Sequence, residues 1–255
     1  MRVLFENRSR AESFGAVAAQ YDRARPSYPS ALVDALLADG AQSVLDVGCG
    51  TGIAACLFAA RGCSVVGVEV DARMAELARA KGLQVEVAAF ERWRPGGRLF
   101  DLVTSAQAWH WIEPRAGAAR AAEALSAGGR IGVFWNFGDL PPALGDLIMP
   151  IYARLEPEIA RCSAELGNPD ARTESALTGI ADSTAFESAE TSTFRWSVAY
   201  DTAGWLEDLA THSDHQALEP ARRGRLLDAV GAAIESIGGS FEMPYETVLV
   251  SARRV

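Results

Sequence analysis

A glycine-rich loop with a carboxylate beside it is the first feature of the chain that could do chemistry. Residues Val44–Gly52 place Gly48, Gly50 and Gly52 directly after a short apolar stretch. Glycines at such a place let the backbone turn tightly and approach a ligand closely. Asp46 stands two residues before the first glycine, where a carboxylate would repel a pyrophosphate but suits a ligand with a cationic amino group.

A second acidic residue, Glu69, lies at the end of the next apolar stretch, Ser64–Val70. An acid at the end of the second strand of a nucleotide-binding sheet accepts hydrogen bonds from the hydroxyls of a ribose. A ligand that presents an amine to one acid and a ribose to the other is an amino-acid-bearing nucleoside, S-adenosylmethionine. A dinucleotide fits less well, because Ile53 stands where the third glycine of the G-x-G-x-x-G fingerprint would fall.

Short apolar stretches and amphipathic stretches alternate around this loop. Strands are predicted at 43–47, 64–70, 85–88, 100–105, 130–135, 194–199 and 247–252, and helices at 31–39, 53–61, 72–80, 116–125, 203–210 and 220–237. Such alternation is typical of parallel β-α-β units with helices on both faces of a sheet. The sequence therefore predicts an α/β, Rossmann-like fold. Its seven-stranded, mostly parallel sheet would carry the last two strands, one of them antiparallel, at one edge.

Four segments are predicted along the chain. Residues 1–30 form an N-terminal lid segment, and residues 31–138 form the ligand-binding core. Residues 139–182 have prolines and helical periodicity but no strand pattern, which indicates a helical cap insertion. Residues 183–255 supply the remaining core strands, with a second helical insertion at about 201–239. We expect both insertions to gather over the carboxyl edge of the sheet.

With these motifs, the chain resembles the class I S-adenosylmethionine-dependent methyltransferases, in the small-molecule branch that includes trans-aconitate and ubiquinone-pathway enzymes. The likeness covers most of the chain. Val44–Gly52 is similar to the first motif of the family, Val65–Glu69 to its second, and Asp101–Trp111 to the stretch after its fourth strand. Val87–Trp93 falls where the family binds adenine, and Phe14–Pro29 resembles the N-terminal lid sequence of many members.

The resemblance implies S-adenosylmethionine as cofactor, S-adenosylhomocysteine as product, and a set of residues that bind them. The glycines would line the methionine and ribose, Glu69 the ribose hydroxyls, Ala89 and Phe90 the adenine, and Ala106 the amino end. One departure is Ala89, because many relatives have an Asp there that binds the adenine amine, and backbone groups or Glu91 would have to replace it. The predicted cofactor site comprises Asp46, Gly48, Cys49, Gly50, Thr51, Gly52, Glu69, Val70, Ala89, Phe90, Ala106, Gln107 and Trp111.

Methyl transfer from a sulfonium needs an acceptor atom about 3 Å from the methyl group, and aromatic faces favour the sulfonium charge. The predicted catalytic residues are Tyr21 and His110. His110 follows the fourth strand and would act as a general base for an oxygen nucleophile, with a packed structural histidine as the competing interpretation. The predicted substrate-binding residues are Arg25, Tyr28, Trp109 and Asn136.

Composition and charge exclude several classes of function. The 24 basic residues comprise 23 arginines and Lys81, which lies in a polar stretch, so neither a phosphate-loop lysine nor a pyridoxal lysine is expected. The formal net charge of −9 argues against a nucleic-acid partner. The four cysteines show no C-x-x-C spacing and the three histidines no zinc pattern, so no metal site is predicted. His212 and His215 lie in the second insertion and are interpreted as a solvated surface cluster, with side chains that face the pocket as the competing interpretation.

The sequence has neither a signal-peptide pattern nor a membrane-spanning one. Its N-terminus lacks an apolar run, and its longest apolar run, Ile53–Ala60, ends at Arg61. We therefore expect a soluble, cytoplasmic protein that acts on a small molecule without a membrane partner. The Lys-poor composition is typical of a GC-rich bacterial genome, and nothing in the pattern specifies an oligomeric state.

Three other functions stay open at the level of sequence. A cyclase or lyase that binds S-adenosylmethionine would use the same cofactor residues without net methyl transfer. A non-enzymatic cofactor-binding regulator is disfavoured by the complete glycine loop, the pair of acids and the lid segment. An NAD-dependent oxidoreductase is disfavoured by the glycine spacing and by Asp46.

Overall fold

The computed structural model of the chain describes Phe5, residues 14–160 and residues 169–255. Much of the first half of the predicted lid segment, part of the first predicted cap insertion, and Cys162 lie outside the described residues. Within the described ranges, one sheet of seven strands has helices on both faces.

The strands are β1 (Ser43–Val47), β2 (Ser64–Glu69), β3 (Gln84–Val87), β4 (Phe100–Ala106), β5 (Leu125–Gly138), β6 (Glu190–Asp201) and β7 (Ser240–Arg253). Their order across the sheet is β3-β2-β1-β4-β5-β7-β6. Strands β1 to β5 run parallel, whereas β7 is antiparallel to both of its neighbours. The prediction of a mostly parallel, seven-stranded sheet with the last two strands at one edge is confirmed.

The helices named below are α1 (Ala18–Ala24), α2 (Ser30–Leu37), α3 (Ile53–Ala59), α4 (Ala72–Ala80), α5 (Pro114–Ala124), α6 (Pro142–Leu155), α7 (Pro169–Asp182), α8 (Thr202–Leu209), α9 (Ser213–Gln216) and α10 (Pro220–Ser236). Short 3-10 turns occupy Phe14–Val17 and Trp109–Trp111. Acidic side chains cap several helices: Asp71 accepts a hydrogen bond from Arg73 N at 2.9 Å, which satisfies a donor that the first turn of α4 leaves open. A membrane crossing would need a longer and more apolar helix than any that the described residues form.

Successive residues of β1 face opposite sides of the sheet, and both sides are covered. Leu45 packs in the layer beneath α5 and α7, whereas Val44 packs in the layer beneath α2, α3 and α4. Strands buried on both faces read as continuous apolar runs, which is why the sequence predicted them without an alternating pattern. Polar groups that bind a ligand are therefore expected where the loops leave the carboxyl ends of the strands.

The strands at the antiparallel edge are longer than predicted. The β6–β7 pairing runs from Glu190↔Ser251 to Asp201↔Ser240, beyond the predicted strands at 194–199 and 247–252. Several side chains of β6 are exposed, so the apolar pattern does not mark the full strand. Main-chain hydrogen bonds to β7 hold these residues extended, because pairing does not depend on burial of each side chain.

Helices α6, α8 and α10 pack on one another and on one end of β6 and β7, and we call this unit the cap. Its apolar interior includes Leu144, Trp205 and Val230. Helix α7 belongs to the same predicted insertion as α6, yet it packs against α5 and the sheet through Ala176 and Ile180. Within its described residues, the segment predicted as one cap insertion therefore contributes α6 to the cap and α7 to the sheet.

Candidate active site

The loop after β1 has the backbone conformation that its glycines allow. Gly48, Gly50 and Gly52 have φ angles of 66°, 55° and 85°, in the left-handed region that residues with side chains rarely adopt. A Cβ atom at Gly48 would lie 2.4 Å from the Cβ of Ala108, which belongs to the loop after β4. The close approach of these two strand ends thus requires glycine at position 48.

Glu69, the last residue of β2, is tied to this glycine loop. Its Oε2 accepts a hydrogen bond from Gly50 N at 2.8 Å, and its Oε1 accepts one from Asp71 N at 2.9 Å. Burial raises the pKa of Glu69, although these backbone donors lower it in part. Because a carboxylate has about four acceptor positions, Glu69 can still accept hydrogen bonds from two ribose hydroxyls.

A cavity of about 110 Å³, here called the cofactor cavity, opens beside the glycine loop and Glu69. The predicted cofactor residues that line it are Gly48, Gly50, Glu69, Val70, Ala89, Phe90, Ala106, Gln107 and Trp111. Glu91 lines it too and accepts a hydrogen bond of 3.4 Å from Glu113 N, so this wall contains a carboxylate although Ala89 replaces the usual Asp. These groups fit the nucleoside and amino-acid parts of S-adenosylmethionine.

Tyr21, predicted to be catalytic, also lines the cofactor cavity, beside Phe14 and Trp111. The ring of Phe14 lies edge-on to both, with centroids 5.8 Å from Tyr21 and 6.3 Å from Trp111. Burial raises the pKa of the Tyr21 hydroxyl, which therefore keeps its proton at neutral pH. Tyr21 can donate a hydrogen bond and present an aromatic face, but it is a poor base.

Asp46 does not reach the cofactor cavity, contrary to the sequence-based prediction. Its side chain is completely buried beneath the glycine loop, where Oδ1 accepts a hydrogen bond from Thr104 Oγ1 at 3.1 Å. Burial raises the pKa of Asp46 to about 7, although hydrogen bonds from Thr104 and the backbone of Ala55 lower it in part. The alternation of side chains along β1 explains the difference, because it directs Asp46 toward α3.

Three other predicted cofactor residues lie beside the cofactor cavity rather than in its wall. Cys49 and Thr51 line a neighbouring cavity of about 50 Å³ together with Arg25, Tyr28 and Asn136. Gly52 precedes α3, and a Cβ atom there would lie 2.5 Å from Leu83 Cδ1. Its role in this structure is close packing of the loop against the neighbouring β-α unit.

Trp109, predicted to bind substrate, lies instead in the core. Its side chain is 2% exposed, and its ring centroid lies 6.3 Å from that of Phe90. Successive residues of a 3-10 turn point about 120° apart, so the turn directs Trp109 into the core while Trp111 faces the cofactor cavity.

A larger cavity of about 370 Å³, here called the cap cavity, lies between the cofactor cavity and the cap. The two cavities share Phe14, Tyr21, Gln107 and Trp111. The rest of the wall is largely apolar and aromatic and includes Ile148, Tyr152, Trp205, Leu209, Met243 and Tyr245. Such a wall suits a small molecule with an apolar or aromatic body.

His110 lines the cap cavity, but its hydrogen bonding opposes a role as base. Its Nδ1 accepts a hydrogen bond of 3.1 Å from Nε1 of Trp135, an indole that can only donate. A neutral His110 therefore carries its proton on Nε2 and has no lone pair left to receive another. The structure favours the competing interpretation, in which His110 is a structural residue.

The other predicted substrate residues surround the junction of the cavities. Arg25 and Asn136 line the cap cavity, and the Arg25 guanidinium lies 5.1 Å from the centre of the Tyr21 ring. Asn136 Nδ2 donates a hydrogen bond of 2.9 Å to Ser27 O, so part of its capacity holds the N-terminal segment. Burial raises the pKa of Tyr28 well above its usual range, and the hydroxyl stays protonated.

The most polar part of the cap cavity was missed from the sequence. His212 Nε2 lies 2.9 Å from Asp208 Oδ2, while His215 lies 2.8 Å from Asp214 Oδ1 through Nδ1 and 2.7 Å from the Tyr152 hydroxyl through Nε2. These histidines line the cavity, which agrees with the competing interpretation from the sequence rather than with the favoured surface cluster. Two histidines three positions apart were the available signal, but Tyr152 reaches them from a distant helix.

Three of these side chains also have the spacing of metal ligands, where the sequence predicted none. One ligand atom from each of His212, Asp214 and His215 lies within 4.8 Å of the others. A metal ion here would have to displace the proton shared by His215 and Asp214, because both ring nitrogens of His215 already have partners.

Comparison with known proteins finds similarity to methyltransferases. Residues 44–129 match the family model described as a methyltransferase domain. Curated proteins of Mycobacterium tuberculosis and Mycobacterium bovis, each described as an uncharacterized methyltransferase, are 39% identical over 130 residues. The match covers 50% of this chain and 53% of the relatives, so the chain spans about half the length of the curated relatives it matches.

Solved structures share the fold at lower identity. A candidate type II methyltransferase from Anaeromyxobacter dehalogenans has a TM-score of 0.62 at 20% identity, covering 90% of this chain and 97% of that one. Phosphoethanolamine N-methyltransferase 2 of Haemonchus contortus, in complex with phosphomonomethylethanolamine and S-adenosylhomocysteine, has a TM-score of 0.55 at 16% identity, covering 98% of this chain and 59% of that one.

The sheet order, the glycine loop tied to Glu69, and the match over residues 44–129 make the chain similar to class I S-adenosylmethionine-dependent methyltransferases. The match over residues 44–129 supports S-adenosylmethionine as the cofactor. The relatives by sequence include the mycobacterial proteins above, and the finer resemblance to trans-aconitate and ubiquinone-pathway enzymes stays a prediction.

Proposed function

We propose that the chain is a methyltransferase that moves the methyl group of S-adenosylmethionine to O, N or C of a small molecule held in the cap cavity. The observation that carries this proposal is the junction of the two cavities at Tyr21 and Trp111. When bound, the cofactor supplies a methyl group on a positively charged sulfur. The chain has to bind both molecules, align them and exclude water.

Binding of the nucleoside rests on Glu69 and the glycine loop. Glu69 would accept hydrogen bonds from the ribose hydroxyls while its own bond to Gly50 N keeps it aimed at the ribose. Glu91 and the backbone near Ala89 would bind the adenine. Asp46 lies beneath the loop and would act on the ligand only through the backbone that it supports.

Alignment rests on the side chains between the cavities. Tyr21 and Trp111 would surround the sulfonium with aromatic faces, each worth roughly 0.5–2 kcal/mol to a nearby cation. Holding donor and acceptor at reacting distance can supply several kcal/mol of the barrier. We propose further that the protein acts in the cytoplasm, on a free small molecule with no nucleic acid or membrane partner.

The experiment is a calorimetric titration of the purified protein with S-adenosylhomocysteine, with NADH in parallel. We expect S-adenosylhomocysteine alone to bind and Glu69→Ala to weaken it. Binding of NADH instead would contradict the proposal.

A second measurement separates methyl transfer from cyclase or lyase chemistry on the same cofactor. Radiolabelled methyl groups from S-adenosylmethionine should appear in acceptor molecules in amounts equal to the S-adenosylhomocysteine formed. Consumption of the cofactor without a methylated product would favour the alternative.

A further inference from the structure

The three histidines of the chain differ in which of their ring nitrogens already have hydrogen-bond partners. His110 accepts a hydrogen bond at Nδ1 and so holds its proton on Nε2, while His215 uses both nitrogens. His212 binds Asp208 through Nε2, and its Nδ1 has no hydrogen-bond partner among the described residues. His212 is therefore the one histidine that can present a free lone pair to the cap cavity.

The partner of His212 fixes which nitrogen is basic. Asp208 is 2% exposed, and burial opposes its ionisation, but His212 and Arg25 outweigh burial and hold its pKa below the usual range. The resulting carboxylate accepts the Nε2 proton of His212, which leaves the lone pair on Nδ1. Burial and Arg25 lower the pKa of His212, so the ring is neutral at pH 7.

Charged and titratable groups face this pair from every neighbouring element. They are Tyr21 and Arg25 from the N-terminal segment, Asp208 from α8, Asp214 and His215 from α9, Tyr152 from α6 by way of His215, and Tyr200 and Tyr245 from β6 and β7. Two carboxylates against one guanidinium stabilise the imidazolium that forms when Nδ1 takes a proton.

The pair lies close to the junction of the two cavities. Arg25 Nε is 3.8 Å from Asp208 Oδ1, and the same guanidinium lies 5.1 Å from the ring centre of Tyr21, which lines both cavities. About a third of the His212 side chain, 34%, is exposed. A ligand in the cap cavity can therefore approach His212 and Tyr21 together.

We propose that His212 is the general base of the site, that Asp208 is its positioning residue, and that the methyl acceptor is a hydroxyl of the phenol class. This inference rests on the proposed function and adds a substrate class to it. The acceptor O–H proton passes to Nδ1 of His212, and the oxygen forms the new bond to the methyl carbon. The bond from that carbon to sulfur breaks, and its electrons remain on sulfur as a neutral thioether.

A phenolic acceptor explains both halves of the cap cavity. Its aromatic body fits the wall of Trp205, Met243 and Tyr245, and its hydroxyl needs a base at neutral pH. A carboxylate acceptor is already ionised at that pH, so its methylation would not need a base such as the His212–Asp208 pair. A divalent metal at His212, Asp214 and His215 could ionise a phenol by another route, and the experiment distinguishes it.

The test uses 4-nitrophenol, whose anion is yellow and whose neutral form is nearly colourless. The probe is titrated into the complete chain with saturating S-adenosylhomocysteine over a range of pH. We expect the wild type to increase the ionisation of the bound phenol roughly tenfold, which is about one pKa unit. His212→Gln keeps a donor for Asp208 but lacks a base, so it should abolish the increase, as should Asp208→Asn.

Asp228→Asn, at an exposed carboxylate on α10, is the matched control and should behave like the wild type. Affinity for S-adenosylhomocysteine, measured on every variant, reports both folding and the proposed function. If S-adenosylhomocysteine fails to bind the wild type, the proposed function fails first.

If S-adenosylhomocysteine binds and the nitrophenol gains no ionisation, the assignment of His212 is overturned while the proposed function stands. The same holds if His212→Gln keeps the increase. The ionisation of bound 4-nitrophenol could instead disappear with EDTA, return with added Mn²⁺ or Zn²⁺, and be lost in Asp214→Asn. That result would establish the metal site and overturn the assignment of His212 and Asp208.

Discussion

The cofactor cavity and the cap cavity adjoin, yet they are assembled in opposite ways. Most residues of the cofactor cavity come from loops at the ends of neighbouring parallel strands, between Val47 and Ile112. The polar residues of the cap cavity come from the N-terminal segment, from the ends of β4 and β5, from α6 and α7, and from the region of α8 and α9, far apart along the chain. Proximity follows from strand order in the first case and from packing of the cap in the second.

The difference shows where chemistry can be recognised without a structure. The glycine loop and Glu69 lie 19 residues apart and meet because Gly50 N and the Glu69 carboxylate sit on adjacent strand ends. Tyr152 and His215 lie 63 residues apart and meet only because α6 and α9 belong to the same cap. The following substitutions test this contrast.

The largest effect is expected from Gly48→Ala. The added Cβ would lie 2.4 Å from Ala108 Cβ at a φ of +66°, so the loop must move, and binding of S-adenosylhomocysteine should fall below detection. Gly62→Ala is the control, because Gly62 also has positive φ, +87°, but no atom lies within 4 Å of its added Cβ. It should cost about 1–2 kcal/mol of stability from strain and leave binding unchanged. Equal losses of S-adenosylhomocysteine binding in both variants would contradict a specific role of Gly48 in the binding loop.

Asp46→Asn should raise stability in a pH-dependent way. The pKa of Asp46 rises from 3.8 to about 7 on folding, so between these values the unfolded state is ionised while the folded state stays protonated. Wild-type stability therefore falls as pH rises through this window, at roughly 1.4 kcal/mol per unit. In urea unfolding, the variant's advantage should grow from pH 4 to pH 7 and then level off.

The control for Asp46→Asn is Asp34→Asn, at an exposed ion pair with Arg61. Its effect should stay within about 1 kcal/mol at every pH. An advantage of Asp46→Asn that does not change with pH would show that this carboxyl is ionised in the folded protein.

Glu69→Gln should weaken S-adenosylhomocysteine about 10- to 100-fold, because the hydrogen bonds that ribose hydroxyls donate to a carboxylate are each worth about 1.5–3 kcal/mol. Calorimetry measures the change directly. Glu76→Gln, at an exposed carboxylate on α4, is the control and should bind as the wild type does. Unchanged affinity in Glu69→Gln would remove Glu69 from the ribose site.

The smallest effect on ligand chemistry is expected from His110→Leu. Loss of the Nδ1 acceptor leaves the buried Trp135 indole unpaired, so the free energy of unfolding should fall by about 1–3 kcal/mol. Ionisation of bound 4-nitrophenol should remain, since His110 is not the base. If the ionisation of bound 4-nitrophenol is lost in this variant, the base is His110 rather than His212.

Much of the fold could be predicted because β1, β2 and β4 are buried along most of their length and glycines end several of the helices and strands between them. The residues that line the cofactor cavity followed from that prediction, since parallel strands bring their carboxyl ends together. Asp46 and Trp109 were misplaced for a local reason: the alternation of a strand and the rotation of a 3-10 turn decide which neighbour faces the ligand. The sequence position alone could not make that choice.

The sequence by itself determined the sheet, the glycine loop and the acid at the end of β2, because each depends on contacts between near neighbours along the chain or on adjacent strands. Only the tertiary structure decided that His110 is occupied by Trp135 and that His212 is held by Asp208 in a cavity. The protonation state of a histidine depends on which donors and acceptors surround it. Trp135 lies 25 residues from His110 along the chain. Asp208 lies only four residues before His212, but that spacing does not show whether the pair faces a cavity or the solvent.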